Sequence, residues 1–282
     1  MAQCSVHAVL PRTGLANRLL VWGRAVVYAR RYGLPIYTQG WGHVHIGPLL
    51  RREKSIRYYG RFFTCPRSIR GAIRLKRNKV FQSQKVFVEP EFNQPPPENA
   101  KCVIFKEVPS KNDYFRDLRG HEDFISSEFF GSVRERWKRR LSPKTDPFIA
   151  LHVRRGDFGI TGIQLSPESY FTTTLSRLRA KTGIEKAVVF SDARPAELVE
   201  LSAISQVSFA EHGSEILDLL EMSRADIIVT SLRSTFGYWG GFVSNASIIL
   251  DPEHDFGAIR AGNGRWFEGN IDQFESYVEK ST

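Results

Sequence analysis

Short apolar runs alternate with longer amphipathic stretches along much of the chain. The apolar run 5–10 is followed by a Pro-Arg-Thr-Gly loop, and from residue 15 to about residue 32 apolar residues recur every three or four positions. This spacing predicts a strand, a loop and a helix, and a second strand is predicted at 36–38. Between residues 40 and 148 the pattern is weaker. It predicts only a strand at 102–105 and a basic helix at 134–141.

The second half of the chain has a clearer pattern. Strands that alternate with helices predict an α/β fold in which parallel, doubly wound sheets carry the helices. The Ser-Pro-Lys-Thr-Asp-Pro segment at 142–147 is typical of a linker, so we predict two domains, 1–145 and 146–282. The predicted strands are 148–153, 187–190, 207–209, 227–229 and 248–250, and the predicted helices are 167–181, 195–202, 215–224, 235–243 and 271–280.

Composition narrows the class of protein. The chain has 282 residues, of which 41% are hydrophobic and 25% charged, as is usual for a globular protein. No apolar stretch reaches the roughly 18 residues that cross a bilayer, and the N-terminus lacks the pattern of a signal peptide. Cys4, Cys65 and Cys102 form neither a disulfide framework nor a zinc pattern. We therefore expect a cytoplasmic protein.

The net charge of +10 favours a polyanionic partner. The excess is concentrated between residues 51 and 79, which hold eleven Lys or Arg residues and one acidic residue, Glu53. This segment is either a solvated basic face or a patch that rests on anionic lipid headgroups or an anionic acceptor. A nucleic-acid-binding protein is an alternative, although the sequence has no helix-turn-helix, zinc-finger or aromatic RNA-binding signature.

One constellation follows the predicted strand 148–153. In doubly wound sheets, ligands bind beyond the carboxyl ends of the strands. His152 is followed by Val, Arg154, Arg155, Gly156 and Asp157. Two guanidiniums there could bind diphosphate oxygens, with Asp157 holding one of them and Gly156 permitting a sharp turn. Simple pairing of both arginines with surface carboxylates is the alternative.

Polar residues also follow two other predicted strands. Ser231 and Ser234 follow strand 227–229, where a helix N-terminus could bind phosphate or Ser234 could simply be an N-cap. Ser191 and Asp192 follow strand 187–190, where the carboxylate could accept hydrogen bonds from a base or ribose. The Gly-Leu-Ala-Asn-Arg segment at 14–18 lacks the full glycine spacing of a dinucleotide fingerprint, which disfavours a Rossmann dehydrogenase.

In this order, the motifs resemble those of the bacterial alpha-1,2-fucosyltransferases of glycosyltransferase family 11 and, more distantly, the alpha-1,6- and protein O-fucosyltransferases. The resemblance rests on Gly-Leu-Ala-Asn at 14–17, His-Val-Arg-Arg-Gly-Asp at 152–157, Phe-Ser-Asp at 190–192 and Ser-Thr-Phe-Gly-Tyr-Trp-Gly-Gly at 234–241. It implies a GT-B-like fold, with two Rossmann-like doubly wound domains facing a central cleft, the acceptor on the N-terminal side and the GDP-sugar on the C-terminal side. The chain departs from the family at Ala16, Arg18 and Tyr238, where the family usually has Gly, Gln and Trp.

The same resemblance implies an inverting, metal-independent transfer of L-fucose from GDP-fucose to a hydroxyl of a glycan acceptor, in alpha-1,2 linkage, where the acceptor is a surface polysaccharide or a lipid-linked glycan. The basic segment 51–79 adds the expectation of a peripheral position at the inner face of the membrane. No cofactor is implied, and the sequence has no Asp-x-Asp motif for a metal. The catalytic base stays open among Asp157, the leaving phosphate and the acidic cluster of Asp113, Asp117, Glu122 and Asp123. The resemblance gives Arg155, supported by Arg154, the role of binding the diphosphate.

It also assigns the other motif residues to parts of the donor. His152 and Asp157 would lie beside the nucleotide, and Asp192 near the nucleoside. Ser234, Thr235 and Phe236 would surround the beta-phosphate, and Asn17 and Gly14 would lie at the transferred sugar.

Two other functions remain open. The protein could be a transferase of the same architecture that uses another sugar nucleotide, or a noncatalytic protein that binds a sugar nucleotide.

Overall fold

The computed structural model describes residues 4–43, 58–64, 68–110, 112–156, 164–262 and 264–281. The chain divides into two compact units, Met1–Glu135 and Arg136–Thr282. The predicted linker at 142–147 lies within the second unit. There Lys144 pairs with Asp226 at 2.7 Å, and Arg224 donates a hydrogen bond to the Ser142 carbonyl at 2.8 Å. A functional division after residue 145 stays a prediction.

The first unit contains a parallel sheet with the strand order β2-β1-β4-β3. Helix α1 is buried along most of its length, which explains its nearly continuous apolar sequence. Gly33, with a φ of +62°, follows the end of α1 at the stop signal predicted from the sequence. The elements of this unit are β1 (Ser5–Val9), α1 (Leu15–Arg31), β2 (Ile36–Gln39), α2 (Ser68–Phe81), β3 (Val86–Val88), β4 (Cys102–Phe105), α3 (Glu122–Ser132) and the short α4 (Glu135–Lys138), which runs into the second unit.

The second unit contains a longer parallel sheet with the order β10-β9-β8-β5-β6-β7. Counted along the chain, its strands lie in the order three-two-one-four-five-six, that of doubly wound nucleotide-binding folds, and the order reverses between β5 and β8. Its strands are β5 (Ile149–Val153), β6 (Ala187–Ser191), β7 (Val207–Phe209), β8 (Ile227–Thr230), β9 (Ser247–Ile249) and β10 (Glu268–Gly269). Its helices are α5 (Glu168–Thr182), α6 (Val199–Ser202), α7 (Glu215–Met222), α8 (Thr235–Phe242) and α9 (Ile271–Ser281).

Hydrophobic cores cover both faces of this second sheet. Leu151 and Val153 pack with Phe171 of α5 in one cluster, whereas Ala150 packs with Met222 of α7 in the other. Strands covered on both faces have nearly continuous apolar sequences, which is why the pattern predicted them well. The α/β fold with parallel sheets is thereby confirmed.

Among the helices and strands of the described residues, four were not predicted from the sequence: α2, α3, β3 and β10. The predicted basic helix at 134–141 is shortened to Glu135–Lys138. Within the described ranges, no helix is both long enough and apolar enough to cross a membrane.

Candidate active site

The carboxyl ends of β5, β6 and β8 lie side by side in the second unit. Val153 of β5 is in register with Ser191 of β6, and His152 is in register with Thr230 of β8. The residues that follow these strands therefore emerge at one edge of the sheet, next to the point where the strand order reverses. In doubly wound folds this point forms a crevice for ligands.

Asp192 holds the loop that follows β5. One of its carboxylate oxygens pairs with the Arg154 guanidinium at 2.7 Å, and the other accepts a hydrogen bond from the Arg155 backbone N–H at 2.8 Å. Gly156 is required beside this pair, because a Cβ there would overlap the Asp192 carboxylate. Asp192 therefore has the positioning role that the sequence suggested for Asp157, which lies outside the described residues.

Arg155 has different surroundings from Arg154. Its guanidinium donates to the Ser166 carbonyl at 2.8 Å and to the Arg154 carbonyl at 3.2 Å, and no salt bridge between described residues includes it. Burial lowers the pKa of Arg155, while Glu168 and Asp192 act in the opposite direction. Because arginine stays protonated in proteins, this site holds a half-buried cation that forms no salt bridge with a carboxylate of the described residues, and it is suited to an anionic ligand.

The hydroxyls at the strand exits support the loops. Ser231 donates to the His152 carbonyl and accepts from the Arg154 backbone N–H, both at 2.8 Å. Ser191 donates to the Val153 carbonyl at 2.7 Å and accepts from the Ala193 N–H at 3.0 Å. These bonds fix the edge of the sheet, and a direct contact of either hydroxyl with a nucleotide stays a prediction.

The turn before α8 is held in an unusual backbone conformation. Arg233 has a φ of +58°, and its N–H donates to the Tyr238 hydroxyl at 2.9 Å. That hydroxyl also lies 3.1 Å from Nδ1 of His254. Ser234 is the N-cap of α8, as predicted, but its side chain makes no capping hydrogen bond to the helix. The N-terminus of α8, with the half-buried Thr235 and Phe236, can therefore present backbone N–H groups to an anion.

Ser166 links Arg155 to the loop that follows β8. Its carbonyl accepts from the Arg155 guanidinium, and its hydroxyl accepts from the Leu232 N–H at 2.9 Å and donates to the Asp251 carboxylate at 2.5 Å. No sequence pattern indicated this residue. Ser166 stands in a loop before a proline, and only the fold brings that loop to the edge of the sheet.

His152 is buried between β5 and α8. Its side chain is 4% exposed, its ring lies 5.4 Å from that of Phe236, and a Cβ on Gly237 would come within 2.7 Å of its Nδ1. Burial, with a smaller contribution from Arg154, lowers the pKa of His152 to about 3. The imidazole is therefore neutral near pH 7 and packs the helix against the sheet, and its contact with a nucleotide stays a prediction.

Gly14 and Asn17 lie in the first unit, at the start of α1. The space into which a side chain would project from Gly14 is open, and Asn17 is half-buried. Arg18 is fully buried, donates to the carbonyls of Thr13 at 3.0 Å and Gly40 at 2.9 Å, and lies over the Tyr59 ring. The arginine that departs from the family pattern thus holds the loop before α1, and the roles of Gly14 and Asn17 stay predictions.

Three of the acidic residues considered as bases have structural partners. Asp113 pairs with Arg119, and Asp117 pairs with Arg24 at 2.9 Å. Glu122 is buried and accepts from the Gly120 N–H at 3.0 Å. Within the described ranges, no group of three or more His, Cys, Asp or Glu side chains could hold a metal ion.

Comparison with known sequences decides the family. The sequence profile of Glycosyl transferase family 11 matches residues 98–253, which include β4 through β9 and the loops that follow β5, β6 and β8. The chain belongs to glycosyl transferase family 11. This family 11 protein is a glycosyltransferase. A search of curated proteins finds no match to it.

Solved structures share the fold of this family 11 chain. The NodZ alpha-1,6-fucosyltransferase soaked with GDP-fucose has a TM-score of 0.58 at 13% identity, with 92% of this chain and 98% of that chain covered. A structure of NodZ from Bradyrhizobium gives a TM-score of 0.58 at 13% identity, with 90% and 97% covered. POFUT1 in complex with GDP-fucose gives 0.51 at 12% identity, with 94% and 97% covered. The family 11 chain therefore has the mixed α/β fold, with two parallel sheets, of these fucosyltransferases.

Proposed function

We propose that this family 11 glycosyltransferase transfers L-fucose from GDP-fucose to a hydroxyl of a glycan, with inversion at the anomeric carbon. The observation that carries the proposal is the guanidinium of Arg155. It is half-buried, has no salt bridge within the described ranges, and lies where the strand order of a nucleotide-binding sheet reverses. The donor is suggested by the fold neighbours, whose structures include NodZ soaked with GDP-fucose and POFUT1 with GDP-fucose.

In this proposal, the protein stabilises the diphosphate as it leaves the sugar. Breaking the bond between sugar and phosphate places negative charge on the diphosphate, and a fixed positive charge there lowers the barrier. Arg155 supplies a guanidinium, and the N-terminus of α8 supplies backbone N–H groups. Asp192 keeps Arg154 oriented beside them.

The finer parts of the proposal rest on the resemblance of the motifs. They are an alpha-1,2 linkage and an acceptor that belongs to a surface polysaccharide. A peripheral position at an anionic membrane face is proposed on a separate ground, the basic segment between residues 51 and 79.

A donor screen tests the function. The release of nucleoside diphosphate is followed with GDP-fucose, GDP-mannose and UDP-galactose as donors, while titration calorimetry compares the binding of GDP, UDP and ADP. We expect GDP-fucose to be the preferred donor and GDP the tightest ligand. Preferential binding of UDP or ADP would contradict the assignment of the donor, and binding of GDP-fucose without turnover under any acceptor would favour a noncatalytic protein.

A further inference from the structure

Helix α2 is fixed to the first sheet by one face. Gly71, Leu75 and Asn78 are buried, and Leu75 packs with Cys102 and Ile104 of β4. Gly71 allows a close approach to β2, because a Cβ there would come within 2.6 Å of the Tyr37 side chain. This face accounts for the attachment of the helix to its unit.

The opposite face of α2 is also apolar, but it is exposed. Ile69 is 76% exposed, and Ile73 and Val80 are each 64% exposed. At about 100° per residue, these three side chains fall within an arc of about 40°, roughly opposite the buried face. Of the seven exposed large apolar side chains in the described part of the chain, four belong to α2, since Phe81 at its end is 78% exposed. We call Ile69, Ile73 and Val80 the apolar stripe.

Basic side chains lie on both sides of the apolar stripe. On the helix, Lys76 falls on one side of it and Arg70 and Arg77 fall on the other, and all three are exposed. No residue of α2 is acidic. An exposed apolar stripe bordered by cations is the pattern of a helix that lies in the interface of a membrane, with its apolar side chains below the headgroups and its cations among the phosphates.

We propose that the apolar stripe of α2 inserts into the interfacial layer of an anionic bilayer and seats the first unit of the enzyme on the membrane. A second copy of this chain is a less favourable partner for this face of α2, because the basic side chains of two α2 helices would repel each other in a dimer. A nucleic acid would use the basic residues but would leave the apolar stripe in water. This inference does not depend on the identity of the donor.

The experiment measures co-sedimentation of the full chain with vesicles made of equal parts of phosphatidylglycerol and phosphatidylcholine. We expect I69Q/I73Q to lower the partition coefficient by about tenfold or more, because two inserted side chains are lost. K76Q and R77Q should each lower it by about fivefold on these vesicles, with little effect on pure phosphatidylcholine. V199Q, at an apolar residue of the second unit that is 66% exposed, is the matched control and should bind like the wild type.

Three results would overturn the proposal. In co-sedimentation, they are a wild type that does not sediment with anionic vesicles and an I69Q/I73Q variant that sediments as well as the wild type. In gel filtration, it is a wild-type dimer that becomes a monomer in I69Q/I73Q, which would identify the apolar stripe as a self-association surface. The same variants are assayed for GDP release from GDP-fucose without vesicles. That activity should be unchanged, so a failure of membrane binding is distinguishable from a failure of the proposed function.

Discussion

Arg154 and Arg155 are adjacent in the sequence but have different electrostatic surroundings. Arg154 is neutralised by Asp192, whereas the hydrogen bonds of the Arg155 guanidinium to described residues all go to carbonyl oxygens. The sequence predicted that this pair would follow a strand, but it could not identify the partner of Arg154. That partner, Asp192, directly follows β6, so the pairing depends on the register between β5 and β6, which lie far apart in the chain.

The variant Arg155→Ala should lower the rate of GDP release by roughly 10²-fold or more, because a charge that faces the leaving diphosphate is lost. Initial rates with saturating GDP-fucose measure the effect, and circular dichroism checks the fold. Arg177→Ala is the control, since Arg177 pairs with Asp272 and Glu275, away from the strand exits. Near-normal turnover in Arg155→Ala would show that Arg155 does not stabilise the leaving diphosphate.

At the scale of the helices and strands, the second unit was predicted better than the first. Its strands are covered on both faces, so each is a distinct apolar run bounded by polar residues. Strands β3 and β10 are only three and two residues long, and neighbouring strands rather than their own sequence define them. Helix α2 was missed because it is apolar on two opposite sides, which obscures the single stripe that a sequence pattern detects.

Gly237 of α8 should be sensitive to a single methyl group. In Gly237→Ala the new Cβ would lie 2.7 Å from Nδ1 of His152, so the helix or the imidazole has to move. We expect the free energy of unfolding to fall by about 1–3 kcal/mol, as for other overpacked sites, and the affinity for GDP to fall as the start of α8 shifts.

The matched control is Gly131→Ala in α3, where no described atom apart from the neighbouring residues and the backbone of the helix lies within 4 Å of the added Cβ. Alanine should leave stability unchanged or raise it by up to about 1 kcal/mol, because it favours the helix. Urea unfolding of both variants measures the contrast. Equal losses of stability in the two variants would argue against tight packing of α8 on His152.

At the scale of the whole molecule, buried histidines make stability depend on pH. Burial lowers the pKa of His7 to about 4 and that of His152 to about 3, from 6.5 for an ordinary histidine. Below pH 6.5 the unfolded chain takes up protons that these residues cannot accept in the folded state. Stability should therefore fall as the pH drops from about 6.5 to about 4. Thermal unfolding at intervals across this range measures the decline.

His212 should act in the opposite direction. The hydrogen bond that the His212 imidazole donates to the Glu221 carboxylate raises the pKa of His212. This pair therefore stabilises the fold below pH 6.5, and its contribution is lost as the pH rises through the raised pKa. Loss of stability on acidification should be steeper in His212→Gln and shallower in His7→Asn than in the wild type. Identical slopes in all three proteins would show that other groups dominate the acid response.

The complete enzyme should work without a divalent metal if Arg155 and α8 provide the positive charge for the diphosphate. We expect GDP release from GDP-fucose to keep its rate in excess EDTA. Activity that disappears in EDTA and returns on addition of Mn²⁺ would reject this mechanism.

Arg18 has a consequence for the predicted sugar site at Gly14 and Asn17 of the first unit. Its guanidinium fastens the loop before α1 to Gly40, so the conformational entropy of that loop is lost when the chain folds. A ligand that binds beside Gly14 contacts a loop that is already ordered, so little of the binding free energy is lost in ordering the protein. Because of a single arginine, the loop before α1 loses its conformational entropy when the chain folds and not each time a ligand binds there.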